Sequence, residues 1–135
     1  MSENIPGILV LSHGPLCEAL IESAEMICGP LENVKALPFL SGADLDEYGK
    51  SAKECYDAMP EGSIILFDLF GGTPFNQMIA RNDGKSSMHG LCGVNLPLLI
   101  EAANLRMSFD GQDLIDKIKE AAGASIVDLE EFLTD

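Results

Sequence analysis

The chain has 135 residues, 47% of them hydrophobic, and a formal net charge of −14 at pH 7. This length fits one domain with a single core, so we expect one unit over residues 1–135. The negative charge disfavours nucleic acid and anionic membranes as partners. No apolar stretch approaches the roughly 20 residues of a membrane span, and the first residues lack the basic region of a secretory signal.

The cysteines are too widely spaced for a metal knuckle or a redox pair, and we expect reduced core residues of a cytoplasmic protein. A thiol phosphatase loop is excluded, because it needs an arginine at a set spacing after its cysteine. At that spacing the four cysteines (Cys17, Cys28, Cys55 and Cys92) are followed by Ser23, Val34, Glu61 and Leu98.

Strand and helix patterns alternate along the chain, which predicts parallel pairing through crossover helices. We predict strands over 7–11, 34–39, 63–67, about 87–92 and 125–129. We predict helices opening near Pro15 and ending at Gly29-Pro30, from Asp44 to before Pro60, over 74–80, over 96–105 and over 110–122. The predicted fold is a doubly wound α/β domain, with a mainly parallel four-stranded sheet and helices on both faces.

Local signals set several of these boundaries. Asp44 followed by Glu47 predicts a helix cap, and Thr73 before Pro74 and Asn95 before Leu96-Pro97 are also typical of helix starts. On the first helix we expect an inner face of Leu16, Leu20, Ala24 and Ile27, and on the third we expect Phe75, Met78 and Ile79 to pack inward.

The last predicted strand, Ser125 to Leu129, has no helix after it in the pattern. We therefore expect it to pair at a sheet edge in an antiparallel sense, or with a partner subunit.

Three predicted strands end in loops that run into helices: 12–15, 68–74 and 93–97. The carboxyl ends of parallel strands share one edge of a sheet, so these loops should meet. Unpaired N–H groups at helix starts favour an anion there. Apart from His13 the loops carry no basic side chain, which argues against a nucleoside triphosphate with its magnesium, and no glycine-rich loop ending in Lys-Ser/Thr is present.

His13 and Asp68 form the candidate reactive pair of this edge. Neutral imidazole is a good nucleophile near pH 7. A carboxylate on its protonated nitrogen fixes the tautomer and stabilises the cation that forms, so Asp68 is the expected orienting residue. His89 lies far from the strand tips, and we interpret it as structural. This chemistry requires no metal or cofactor.

Motifs over nearly the whole chain resemble one family. Ser12-His13-Gly14, Asp68-Leu69-Phe70-Gly71-Gly72-Thr73-Pro74-Phe75-Asn76 and Gly93-Val94-Asn95-Leu96-Pro97, together with Ala24-Glu25-Met26, are similar to the mannose-family (mannose/fructose/sorbose) IIA component of the bacterial phosphoenolpyruvate-dependent sugar phosphotransferase system. Thr73 stands where serine is frequent and Ser12 where threonine is common, and both keep the hydroxyl.

The resemblance implies a cytoplasmic histidine phosphocarrier that accepts phosphate from HPr and passes it to a IIB component, which serves the membrane IIC and IID proteins. It implies that His13 is phosphorylated, that Asp68 holds it, and that Gly14, Gly71, Gly72 and Thr73 bind the phosphate, with Ser12 and Asn95 in secondary roles. It further implies a homodimer that exchanges the last strand. Pro15, Leu16, Leu69 and Phe70 are candidates for an apolar docking rim.

Three other classes of protein share parts of this pattern. A two-component receiver domain would need an acidic pair where Ser12 and His13 stand and a lysine in the last strand. A related branch that serves dihydroxyacetone kinase differs in its third-strand motif. A regulatory domain of the same fold, which senses phosphorylation without passing it on, stays open and is separated by a test of onward transfer.

Overall fold

The computed structural model describes residues 5–84 and 88–134. Its strands are β1 (Ile8–His13), β2 (Val34–Phe39), β3 (Ile64–Phe67) and β4 (His89–Cys92). Its helices are α1 (Leu16–Cys28), α2 (Leu45–Asp57), α3 (Thr73–Ile79), α4 (Leu96–Leu105), α5 (Gly111–Ala122) and α6 (Leu129–Thr134). Among these helices none has the length and apolar character to cross a bilayer.

The four strands form one parallel sheet in the order β2-β1-β3-β4. Successive residues of a strand face opposite sides, and the strands β1 and β3 are buried on both. Ile8, Val10, Ile64 and Leu66 pack with residues of α1, α4 and α5, whereas the residues between them pack with α2 and α3. The doubly wound α/β fold is therefore confirmed.

Several element boundaries follow from local chemistry. Oδ1 of Asp44 accepts a hydrogen bond from the Glu47 N–H at 2.9 Å, and Oδ1 of Asn95 accepts one from the Leu98 N–H at 2.9 Å, so both act as helix caps as predicted. For α3, the cap position is Gly72 and no side chain caps the helix, so the assignment of this role to Thr73 was wrong.

The inner faces of two helices differ from the prediction. Leu16 and Ile27 are exposed, and Cys17 and Ala24 are the buried residues of α1. Ile79 of α3 is also exposed, whereas Met78 is fully buried. Helix α3 has only seven residues and buries Pro74 and Met78, so its short periodic pattern specifies the buried face weakly.

The predicted fifth strand is absent from the described residues. Residues 125–128 carry no regular secondary structure, and α6 follows them although no helix was expected there. A strand needs a neighbour to receive its backbone hydrogen bonds, and the single chain supplies none to this segment. Strand β4 begins at His89, and Ser87, the predicted start, lies outside the described residues.

Candidate functional site

His13 and Asp68 lie at neighbouring strand ends in the middle of the sheet. His13 is the last residue of β1, and Asp68 directly follows β3. The chain leaves β1 toward β2 on one side of the sheet and continues with β3 and β4 on the other side. The pair therefore occupies the switch point of the topology, where crevices open in α/β sheets.

One carboxylate oxygen of Asp68 holds both the backbone and the ring of His13. Oδ2 accepts a hydrogen bond from the His13 N–H at 3.0 Å and lies 2.9 Å from the ring Nδ1. The Asp68 side chain is 11% exposed and that of His13 is 44% exposed. Because an ionised carboxylate only accepts hydrogen bonds, we infer that Nδ1 carries the proton and that the lone pair of the neutral ring is on Nε2.

Ser12 organises the loop that presents the histidine. It is fully buried, and its Oγ donates to the Gly14 carbonyl oxygen at 2.9 Å and accepts from the Cys17 N–H at 2.8 Å. Gly14 has a positive φ of 64°, which a glycine adopts without strain. The hydroxyl thus ties the end of β1 to the first turn of α1.

Asn76 holds the loop after β3. Its side-chain amide donates to the Gly71 carbonyl oxygen and its backbone N–H to the Gly72 carbonyl oxygen, both at 2.9 Å. In a trans peptide the N–H points opposite to the carbonyl. The Gly72 and Thr73 N–H groups therefore point away from the body of α3.

Gly72 lies against the histidine ring. A Cβ added to Gly72 would lie 2.5 Å from Cε1 and 3.1 Å from Nε2 of His13. Only glycine leaves the ring its present position, so the loop after β3 and the His13 ring are fitted to each other.

The charge of Asp68 reaches two further groups. Burial, and then the negative charge of Asp68, raises the pKa of the Cys92 thiol. Burial also raises the pKa of Tyr48, with smaller contributions from Cys17 and Asp68. Both groups are therefore kept in their neutral forms on the sheet face below the site.

His89 belongs to the opposite end of the molecule. Its Nδ1 lies 3.3 Å from Oε1 of Gln112. A cavity of about 760 Å³ opens beside it at the amino-terminal ends of β3 and β4 and is lined by acidic residues that include Glu61 and Asp110. His89 therefore stands apart from His13.

Sequence reasoning missed Phe39 as a residue of the site. Parallel pairing places it directly opposite His13, and the two ring centroids are 6.4 Å apart at an interplanar angle of 89°. Its position at a strand end was the available signal, but the register that brings it to His13 depends on the sheet order.

Comparison with known proteins gives the class of the chain. Residues 7–119 match the family model EIIA-man, described as "PTS system fructose IIA component". The chain therefore belongs to this family, the mannose-family IIA components, which are phosphotransferase parts of sugar transport. The resemblance seen in the motifs is confirmed.

Individual relatives of the chain are also named as components of the phosphotransferase system. The chain is 32% identical over 128 residues to the "PTS system fructose-specific EIIA component" of Bacillus subtilis, covering 93% of this chain and 88% of that protein. It is also 32% identical over 105 residues to the "PTS system mannose-specific EIIAB component" of Escherichia coli, of which it spans 31%.

Solved structures agree with the fold. The phosphotransferase system component EIIA from Streptococcus agalactiae superposes with a TM-score of 0.85 at 30% identity, over 93% of this chain and 98% of that one. The PTS IIA protein associated with the fucose utilization operon from Streptococcus pneumoniae gives a TM-score of 0.80 at 28% identity, over 98% and 99%.

Proposed function

We propose that this protein is a cytoplasmic histidine phosphocarrier that accepts a phosphoryl group from phospho-HPr on His13 and transfers it to a IIB component. Membership of the IIA family establishes a role in sugar phosphotransfer. The observation that carries the finer proposal is the 2.9 Å contact between His13 Nδ1 and Asp68 Oδ2. It leaves Nε2 as the nitrogen with a free lone pair.

In the proposed reaction the Nε2 lone pair attacks phosphorus of the phosphohistidine on HPr. A bond between Nε2 and phosphorus forms, and the bond between phosphorus and the HPr nitrogen breaks, with its electron pair returning to that nitrogen. The proton stays on Nδ1, and Asp68 stabilises the cationic ring. The same steps in reverse deliver the group to the nucleophile of the IIB component.

The phosphoryl group would be held by backbone amides of Gly14, Gly71, Gly72 and Thr73. Support for this comes from Asn76, which engages the Gly71 and Gly72 carbonyl oxygens. Preorganised amides stabilise charge on a transferring group without lysine or arginine. Ser12 would support this cradle through its bonds to the His13 loop, and Asn95 by capping α4 at the neighbouring strand end.

An apolar rim would dock the carriers in turn. Leu16, Leu69 and Phe70 are 46%, 57% and 76% exposed, and Pro15 is exposed beside them. A cluster of exposed apolar side chains on a protein surface marks a site of protein–protein interaction. HPr and the IIB component would use this surface alternately, and the membrane IIC and IID proteins would be served only indirectly.

We further propose that residues 1–135 act as a single IIA-type domain within a homodimer that exchanges the segment near 125–129. The last part of the chain supports this, because its apolar side chains lie exposed in the single chain: Ile126, Val127, Leu129, Phe132 and Leu133. Light scattering on the full chain should give the mass of a dimer, and a monomer at micromolar concentration would contradict this part.

The central test is phosphorylation from phosphoenolpyruvate in the presence of enzyme I and HPr. The protein should acquire an acid-labile, base-stable label. His13→Ala should stay unlabelled, whereas the control His89→Ala, at the far end of the sheet, should be labelled like the wild type. Label on His13→Ala would refute the site.

Onward transfer separates a carrier from a regulatory domain. The labelled protein should lose its phosphate to at least one member of a panel of IIB components. A protein that is labelled but passes the group to none of them would be a sensor of phosphorylation instead.

A further inference from the structure

Two groups beside the His13 ring are explained by the proposed chemistry. Asp68 holds Nδ1, and Gly72 lies against the edge formed by Cε1 and Nε2. A further group beside it is Phe39, whose ring stands perpendicular to the imidazole at a centroid distance of 6.4 Å. An edge contact of this kind is a favourable arrangement of two aromatic rings.

Phe39 is itself held in place. Its backbone carbonyl oxygen accepts a hydrogen bond from the Gly14 N–H at 2.8 Å, which ties it to the residue after the histidine. Its ring packs on Tyr48 with centroids 5.1 Å apart at 73°. The Tyr48 hydroxyl in turn donates to the Leu37 carbonyl oxygen at 2.6 Å. The contact to His13 is thus anchored in the buried face of the sheet.

We propose that Phe39 is a positioning residue for phosphoryl transfer, which restricts rotation of the His13 ring so that Nδ1 stays on Asp68 and Nε2 faces the incoming group. This inference rests on the proposed function.

The His13 ring needs a contact such as that with Phe39 because its side chain is exposed to solvent. The His13 side chain is 44% exposed. The single hydrogen bond from its ring to Asp68 does not by itself prevent the ring from rotating away. Rotation about the bond between the ring and Cβ has a broad energy profile. A perpendicular ring on one side and the Gly72 backbone on another narrow that range, which favours the orientation needed for attack.

The test compares Phe39→Leu with Phe70→Leu. Phe70 is an aromatic residue at the same edge of the sheet, 76% exposed, and its ring packs on Phe75 at 5.1 Å. Both variants remove one ring, but only the first removes the ring that faces His13. Single-turnover transfer from phospho-HPr gives the maximum rate and the half-saturating concentration. Ring-nitrogen chemical shifts in the unphosphorylated protein give the His13 tautomer populations.

For Phe39→Leu we expect a maximum rate lower by about tenfold, since misplacement of a reacting group costs rate even when binding is intact. We expect an unchanged half-saturating concentration and a smaller population with the proton on Nδ1. For Phe70→Leu we expect the wild-type maximum rate and tautomer, with a raised half-saturating concentration.

The proposal is overturned if folded Phe39→Leu keeps the wild-type tautomer or the wild-type maximum rate, or changes only the half-saturating concentration as a docking residue would. If Phe39→Leu does not fold, Phe39→Met, which fills space with a flexible chain, replaces it. The tautomer measurement needs no partner protein. Absence of labelling in the wild type would therefore defeat the proposed function, whereas an unchanged tautomer would defeat the role of Phe39.

Discussion

Oδ2 of Asp68 receives two hydrogen bonds from His13, one from the backbone N–H at 3.0 Å and one that we assign to the ring Nδ1–H at 2.9 Å. The other oxygen, Oδ1, is buried and has no hydrogen-bond partner among the described residues. The carboxylate therefore directs its hydrogen bonding at one residue, and the ring orientation is coupled to the position of the strand end.

Replacing Asp68 by asparagine should keep the fold and slow phosphoryl transfer. The amide retains the shape of the side chain but loses the charge that stabilises the cationic ring, so we expect a rate loss on the order of 10²-fold. The measurement is single-turnover transfer from phospho-HPr, with circular dichroism as the check on folding. Asp57→Asn removes a carboxylate that pairs with Lys53 on the surface and should leave the rate unchanged. A wild-type rate in Asp68→Asn would refute the orienting role.

The Gly72→Ala variant should fold but transfer the phosphoryl group slowly. Gly72 has a φ of −79°, which alanine adopts without strain, so the effect is steric. The added methyl group would meet Cε1 of His13 at 2.5 Å and force the ring aside. A displacement near 1 Å corresponds to a loss of about 10²-fold in rate. Gly84→Ala is the control. An alanine there is strained, because the φ is 74°, but its Cβ would meet no other atom and lies away from the site, so phosphoryl transfer should keep the wild-type rate. A wild-type rate of single-turnover transfer from phospho-HPr in Gly72→Ala would show that the ring need not occupy this position.

Loss of the Ser12 hydroxyl should destabilise the protein. In Ser12→Ala the buried Cys17 N–H loses its acceptor, and a buried unpaired group costs about 1–3 kcal/mol. Urea unfolding should therefore show a lower free energy of unfolding. Ser41→Ala removes a hydroxyl on the exposed surface and should be close to the wild type. Equal stability of the wild type and Ser12→Ala would contradict the role of this bond.

Ionisation of Tyr48 should lower the free energy of unfolding at alkaline pH. Burial raises its folded pKa above the ordinary value of 10.0, so the folded state holds the proton where the unfolded state releases it. The stabilisation is fully present below pH 10 and is lost as the pH rises from there through the folded pKa.

Urea unfolding over a pH series measures this effect. Above about pH 10 the free energy of unfolding should fall with pH, and Tyr48→Phe should fall less steeply, by up to about 1.4 kcal/mol per pH unit. Tyr56, whose pKa burial also raises, remains in both proteins and cancels in the comparison. Identical slopes for the two proteins would show that Tyr48 ionises in the folded state as easily as in the unfolded chain.

Features that depend on a few neighbouring residues could be predicted from the sequence. Helix α4 spans the predicted range because Asn95 caps it and a proline opens it, and β2 has the predicted bounds. The fifth strand could not be predicted in the same way. Its residues fit a strand, but a strand forms only against a neighbour, and the pattern of one chain does not say whether the neighbour exists.

By itself the sequence determined the alternation of strands and helices, the placement of His13 and Asp68 at strand ends, and the family motif, because each of these is written in local spacing. Only the tertiary structure decided that β1 lies beside both β2 and β3. That order brings Asp68 within 2.9 Å of the His13 ring and sets Phe39 opposite it. Residues separated by many positions in the chain meet only when the whole sheet has formed. Their neighbours are selected by the burial of both sheet faces and by the parallel register, and not by local preference.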